Sequence, residues 1–337
     1  MERIHVVSSA AKNPSIIRRS FRRTIFFIIA ILAIGSTFEP YNQAQLAVVL
    51  IYFIGVLSVT ILTGISGQIS LGQGALMAVG GYTTALLMTN YSISLWIAVP
   101  ASIVGAGIAG ALLGIAAARL SGPYLAGTTL VIALAIPTIA NRFMSVFKSD
   151  EGLPVDVGYP PSWFTSLFGE PTYEEWQLYV VLPFAAIALF FASNLLLSRT
   201  GRMWKSIRDH ETAAALSGVN YSRQKIYVFI IASIFAGLAG ALYGQRGLVG
   251  PSVYPVALSL TLLTAAVLGG IRSIFGAFIG TVIVVFLPDW IDLVLDNFEL
   301  SEQVSNFMPA LISSLLLILT VVINPAGVAG GHHHKHK

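Results

Sequence analysis

Between Thr63 and Tyr82 the chain reads TGISGQISLGQGALMAVGGY, a run of glycines and uncharged polar side chains between two hydrophobic stretches. Glycine in a helix interior costs about 1 kcal/mol relative to alanine, and Gly64, Gly67, Gly72 and Gly74 stand close together. A helix entering this segment is expected to break. Irregular backbone at membrane depth survives only where protein or a water-filled cavity satisfies its polar groups. Ser66, Gln68, Ser70 and Gln73 therefore have two readings. In one they line a path for a polar solute, as broken helices do in transporters. In the other the segment is a close small-residue contact between helices, which Gly80 and Gly81 also fit.

The surrounding composition places this segment in a membrane. The chain has 337 residues, 55% of them hydrophobic, with only 10% charged and a mean hydropathy of +0.80. A soluble domain carries about 25% charged residues, so a soluble fold is excluded, and so is a disordered chain. With no cysteine, disulfides, thiolate catalysis and cysteine-held metals are excluded too. Apolar stretches long enough to cross a bilayer as helices are read at 24–38, 44–62, 75–89, 95–118, 128–147, 177–197, 224–244, 256–270, 274–288 and 308–323. The expected fold class is all-α, a polytopic integral membrane protein of about ten transmembrane helices. A basic segment, 1–23, precedes the membrane domain, 24–323. A tail, 324–337, follows, whose histidines read as a polar tail or the remainder of an affinity tag.

Charge sets the orientation. With the N-terminus inside, all 19 basic residues except Arg142, Lys148 and Arg246 fall on the inner side. All 15 acids except Glu2, Asp209 and Glu211 fall outside. Lysine and arginine are retained on the cytoplasmic side, so both termini and the loop 198–225 are expected there, with loops 148–176 and 289–307 outside. The basic residues are topology signals beside anionic lipid, not a nucleic-acid surface. No carboxylate lies in the middle of a span, which argues against proton- or sodium-coupled transport.

Two further features carry information. Ser70-Leu71 and Gly80-Gly81 recur at the same spacing as Ser259-Leu260 and Gly269-Gly270. The spans involved run in opposite directions, as in an inverted repeat, and the echo adds Thr261 and Thr264 to the candidate path. The inner loop holds RMWKSIRDHETAAAL at 202–216, a helix-forming stretch stopped by Gly218 and Asn220. Glu211, Ala213, Ala214 and Gly218 give it an acidic, small, small, glycine pattern. This suits either a docking helix that a partner surface approaches closely or a basic interfacial helix on lipid.

Four stretches together resemble the permease subunits of branched-chain amino acid ABC importers of the LivM type. They are Thr63–Tyr82, RLSGPYLAGTTL at 119–130, SRTGRMWKSIRDHETAAALSGVNYSRQKIYVFIIASIFAGLAGALYG at 198–244, and SLTLLTAAVLGGIRSIFGAFIG at 259–280. The resemblance implies that the loop is a coupling helix seated on an ATPase subunit, carried by Glu211, Ala214 and Gly218 with Arg202 and Arg208 flanking. It implies a homologous second permease, two ATP-binding subunits that hold ATP and magnesium, and an extracytoplasmic solute-binding protein. It also implies a bacterial or archaeal inner-membrane location. The acid-rich outer segments Asp150–Glu175 and Asp289–Glu302 are expected to receive the binding protein, with Asp150 and Glu151 as the docking residues. No cofactor is expected in this chain, and it has no Walker A motif, so it is expected to be a transport subunit and not an enzyme. Two departures leave the solute open. The Thr-Gly-Gly-x-x-Gly-like turn after the fifth span is reduced here to Phe147–Pro154, and Leu134 stands where many members carry an acid. A branched-chain or related amino acid, urea or a short amide, and a carboxylic acid all remain. The rival class is a stand-alone channel or ion-coupled carrier.

Overall fold

The computed structural model describes residues 14–120 and 122–295 and, beyond them, 311–312, 314–315, 318–319 and 322. The helices are α1 (Pro14–Gly35), α2 (Pro40–Val59), α3 (Gln73–Tyr91), α4 (Leu95–Ala117), α5 (Pro123–Arg142), α6 (Met144–Phe147) and α7 (Ser162–Phe168). They continue with α8 (Tyr173–Leu197), α9 (Arg199–Asp209), α10 (Glu211–Leu216), α11 (Tyr221–Tyr243), α12 (Val256–Gly269) and α13 (Ile274–Leu295). Two short strands, β1 (Leu153–Pro154) and β2 (Leu248–Val249), pair antiparallel. Six helical runs are long and apolar enough to cross a membrane: Pro40–Ile65, Leu95–Ala117, Pro123–Arg142, Tyr173–Leu197, Tyr221–Arg246 and Ile274–Ile291. The chain is thus an all-helical, multi-pass membrane protein.

The other expected spans within the described residues also coincide with helices, each short of the full apolar length for a visible reason. The second half of α1 is apolar, but its start carries Arg18, Arg19, Arg22 and Arg23. Helix α3 is diluted by Gln73, Thr83, Thr84, Thr89 and Asn90. Helix α12 has only 14 residues. The tenth expected span, 308–323, lies largely outside the described residues, as do most of loop 289–307 and all of the 324–337 tail. Helix α13 continues past the expected end at 288 because Asp289 is satisfied in place: it accepts from Tyr41 Oη at 3.4 Å and Gln45 Nε2 at 3.2 Å.

Helix α2 and the turn that extends it are the centre, 89% buried over their most apolar window, whereas α5 is 22% buried. Helix α11 lies against α2, α3 and α4, and glycines set those separations. Gly80 of α3 meets the backbone of Gly237, and a Cβ on Gly240 of α11 would strike the Met77 carbonyl. Without a strong hydrophobic drive between helices in lipid, such small-residue contacts supply the packing. Gly269 and Gly280 do the same between α12 and α13. Helices α4 and α5 turn Ile108, Leu112, Val131 and Leu134 outward, an apolar face suited to lipid.

The contacts pair off. Helix α11 packs on α3 and α4, α2 packs on α12 and α13, and α2 touches α11. This is the exchange expected if α2–α4 and α11–α13 are related units. The sequence echo, however, has a different register. Ser70 precedes the first residue of α3, Gln73, whereas Ser259 lies inside α12, which starts at Val256. The Ser-Leu echo thus sets a loop against a helix.

Candidate functional site

The polar break forms as expected. Helix α2 passes into a π-helical turn at Thr60–Ile65 and then into extended chain, with Gly67 at φ +75°. Helix α3 begins at Gln73 behind Gly72, which has no side chain to cap the first turn. The unpaired N–H groups that every helix start leaves are met from elsewhere. The Leu71 N–H donates to Thr129 Oγ1 of α5 at 2.9 Å, and the Gly74 N–H to Ser259 Oγ of α12 at 2.9 Å. The Gly72 N–H reaches Ser70 Oγ at 3.3 Å. Ser66, Gln68, Ser70 and Gln73 are all buried. Ser66 Oγ donates to the Leu62 carbonyl, Gln68 Nε2 to Ser66 Oγ, and Gln73 Oε1 accepts from Ser58. None of the four lines the cavity of about 620 Å³ at Tyr52 and Tyr243. Ser66 and Ser70 satisfy broken backbone, whereas Gln68 Oε1 and Gln73 Nε2 are buried without a hydrogen-bond partner. Thr129 and Ser259 were the residues missed, since their partners are remote in sequence.

The loop 198–225 departs from one continuous helix. It folds as α9 and α10, separated at His210, whose backbone is extended. Ser198 caps α9 by accepting from the Gly201 N–H, and Asn220 caps α11 by accepting from the Arg223 N–H. Gly218, at φ +84°, ends α10 in the left-handed conformation that glycine tolerates. Trp204, buried, donates its Nε1–H to Gln224 at 3.0 Å and pins α9 to α11. Arg202 donates back to the Leu197 carbonyl. Glu211 pairs with Lys225 at 3.0 Å. Ala214 is turned inward at 4% exposure, while Leu216 is 90% exposed. The surface that α10 offers a partner is thus Glu211, Thr212, Ala213, Ala215, Leu216 and open Gly218. Leu216 could have been suspected as the apolar residue beside the Gly218 stop.

Arg208 connects this loop to the break. Its Nη1 donates to the Gly64 carbonyl at 2.8 Å, while Nε and Nη2 hold Asp209. Its aliphatic stem lies over Gly67, where a Cβ would come within 2.6 Å of Cγ. Gly64 is pressed on the other side by the carbonyl of Ile271, in the turn between α12 and α13. One arginine thus bears on the end of α2, which in turn abuts the α12–α13 turn.

At the opposite end lies a cavity of about 620 Å³ lined by Tyr52, Tyr243, Arg246, Ser252, Leu258 and Thr261, among others. Tyr52 Oη donates to Tyr243 Oη at 3.3 Å. Of the two threonines assigned to the path, Thr261 lines this cavity and Thr264 does not; both hydroxyls donate to their own helix, to Ala257 and Leu260. Gly247 and Leu248 form part of the wall, and Leu248 pairs with Pro154 of β1. The turn Ser149–Glu151, which carries Asp150 and Glu151, precedes β1 and comes close to Gly250, just after β2. Tyr52 and Tyr243 were missed because nothing local marks either tyrosine.

The family described as the permease component of branched-chain amino acid transport systems matches residues 43–323. The high-affinity branched-chain amino acid transport system permease protein LivM of Salmonella typhimurium is 29% identical over 326 residues, covering 90% of this chain and 74% of its own. The corresponding LivH protein of Escherichia coli K12 is 28% identical over 289 residues, covering 80% of this chain and 88% of its own. The L-arabinose transport system permease protein AraH of the same strain is 28% identical over 262 residues, covering 77% of this chain and 75% of its own. No solved structure matches the chain.

Proposed function

The chain belongs to the branched-chain amino acid transport permease family, and from that premise we propose that it is one permease half of an ABC importer for a branched-chain or related amino acid. It works in a bacterial or archaeal inner membrane with loop 198–225 and both termini in the cytoplasm. A homologous permease completes the pathway, a solute-binding protein delivers the amino acid at the Asp150–Glu151 side, and two ATP-binding subunits, with ATP and magnesium, drive transport. The observation that carries this reading is Arg208, which ties the exposed α9–α10 loop to the broken end of α2. A push on the loop has a mechanical route to the membrane helices. A lipid-bound helix in a passive channel would have no need of that link.

The test is uptake by proteoliposomes holding the complete complex. Wild-type uptake of leucine is expected only with ATP inside. Glu211→Arg places a cation beside Lys225 on the docking surface, and it is expected to reduce uptake at least tenfold with the chain still present in the membrane. Lys225→Glu added to Glu211→Arg restores the ion pair but not the docking charge, so the double variant is expected to stay uncoupled. ATP-independent uptake, or wild-type rates in Glu211→Arg, would favour the channel or carrier reading.

A further inference from the structure

We infer that the cavity between α2, α11 and α12 receives the carboxylate of the transported solute, with Arg246 as the group that binds it. This deepens the importer reading and rests on it. Among the described residues, the lining of the cavity of about 620 Å³ includes Arg246 and no acid. Among the described residues Arg246 is in neither ion pair shown, Arg208–Asp209 or Lys225–Glu211, and no carboxylate is paired with it there. A guanidinium offers five N–H donors, accepts nothing and stays charged. Here it faces a recess on the side opposite the α9–α10 loop.

The rest of the lining suits an amphiphilic anion. Tyr52 donates its hydroxyl proton to Tyr243, which leaves the Tyr243 proton free to donate to a second carboxylate oxygen. The two rings lie 5.5 Å apart and are backed by Tyr254, 6.0 Å from Tyr243, so the hydroxyl pair is held in place. Val253 and Leu258 supply an apolar wall for an aliphatic side chain. Charge-assisted hydrogen bonds are stronger than neutral ones, so one guanidinium separates solute classes that otherwise fit. Relatives of nearly equal identity are named for branched-chain amino acids and for L-arabinose; identity alone therefore leaves the class open. A sugar, urea or a short amide has no anion for Arg246. An amino acid does.

Two readouts test this. In proteoliposomes of the complete complex with its binding protein, Arg246→Gln is expected to lower leucine uptake at least tenfold, and Arg246→Lys to recover part of it. In the detergent-solubilised complex, Thr261→Cys gives this chain its single thiol, since it has no cysteine of its own. Leucine is expected to slow its reaction with a maleimide, and leucinamide, which lacks the carboxylate, is not. Adding Arg246→Gln should abolish the protection. Wild-type uptake with Arg246→Gln unaffected, or equal protection by leucinamide, would overturn the carboxylate site and leave the importer intact. A wild-type complex that takes up no branched-chain or related amino acid with ATP present would overturn the importer reading itself.

Discussion

Gly240→Ala is expected to prevent the chain from accumulating in the membrane. A single methyl group decides this because of where it would go. The Cβ would overlap the Met77 carbonyl, and the neighbouring contact between Gly80 and Gly237 leaves no slack on the same seam. Overpacking a well-filled interior costs about 1–3 kcal/mol, occasionally more. Here the obstacle is backbone of a second helix, which cannot rotate away as a side chain can. The cost is expected at or above the top of that range, against a total stability of about 5–15 kcal/mol. Gly127 on α5 is the control, since nothing lies within 4 Å of a Cβ built there; Gly127→Ala is expected to accumulate as wild type. Yield after detergent extraction and size-exclusion chromatography measures both. Equal yields of the two variants would mean that α3 and α11 stand further apart than described.

Arg208→Ala is expected to separate ATP hydrolysis from uptake. It removes the donor to the Gly64 carbonyl and the stem lying over Gly67 while leaving the exposed face of α10 in place. A hydrogen bond from a charged group contributes about 1.5–3 kcal/mol, and each 1.36 kcal/mol is a factor of about ten in rate. Uptake is therefore expected to fall roughly ten- to hundredfold while the complex still assembles and hydrolyses ATP. Arg208→Lys keeps the charge but not the fork and should fall between. Wild-type uptake by Arg208→Ala would show that force reaches the membrane helices by another route.

The sequence carried the helices and the break because both are local properties. Apolar runs of membrane length set α2, α4, α5, α8, α11 and α13, and clustered glycines set the turn after α2. The caps at Ser198, Asn220 and Gly218 were equally local. What the hydroxyls and amides of the break do was not legible, because the answer lies in other helices. Thr129 and Ser259 satisfy the start of α3 from α5 and α12, and this makes the neighbouring polar side chains part of a packed junction. The cavity was hidden for the same reason: Tyr52, Tyr243 and Thr261 meet only after folding. Arg208 was picked out as flanking the docking pattern, but its reach to Gly64 could not be read from spacing. The echo at Ser70 and Ser259 suggested related halves, yet it sets a loop against a helix.

The most direct test of the central claim is a crosslink from Leu216, the most exposed apolar residue of α10. With cysteine at this position in an otherwise cysteine-free chain, a short bifunctional thiol reagent would be applied to native membranes and the adduct identified by mass spectrometry. A crosslink to an ATP-binding subunit, lost in Glu211→Arg, is the predicted result. A complex captured whole in which Leu216→Cys reacts freely but never joins an ATP-binding subunit would contradict the coupling role of this loop.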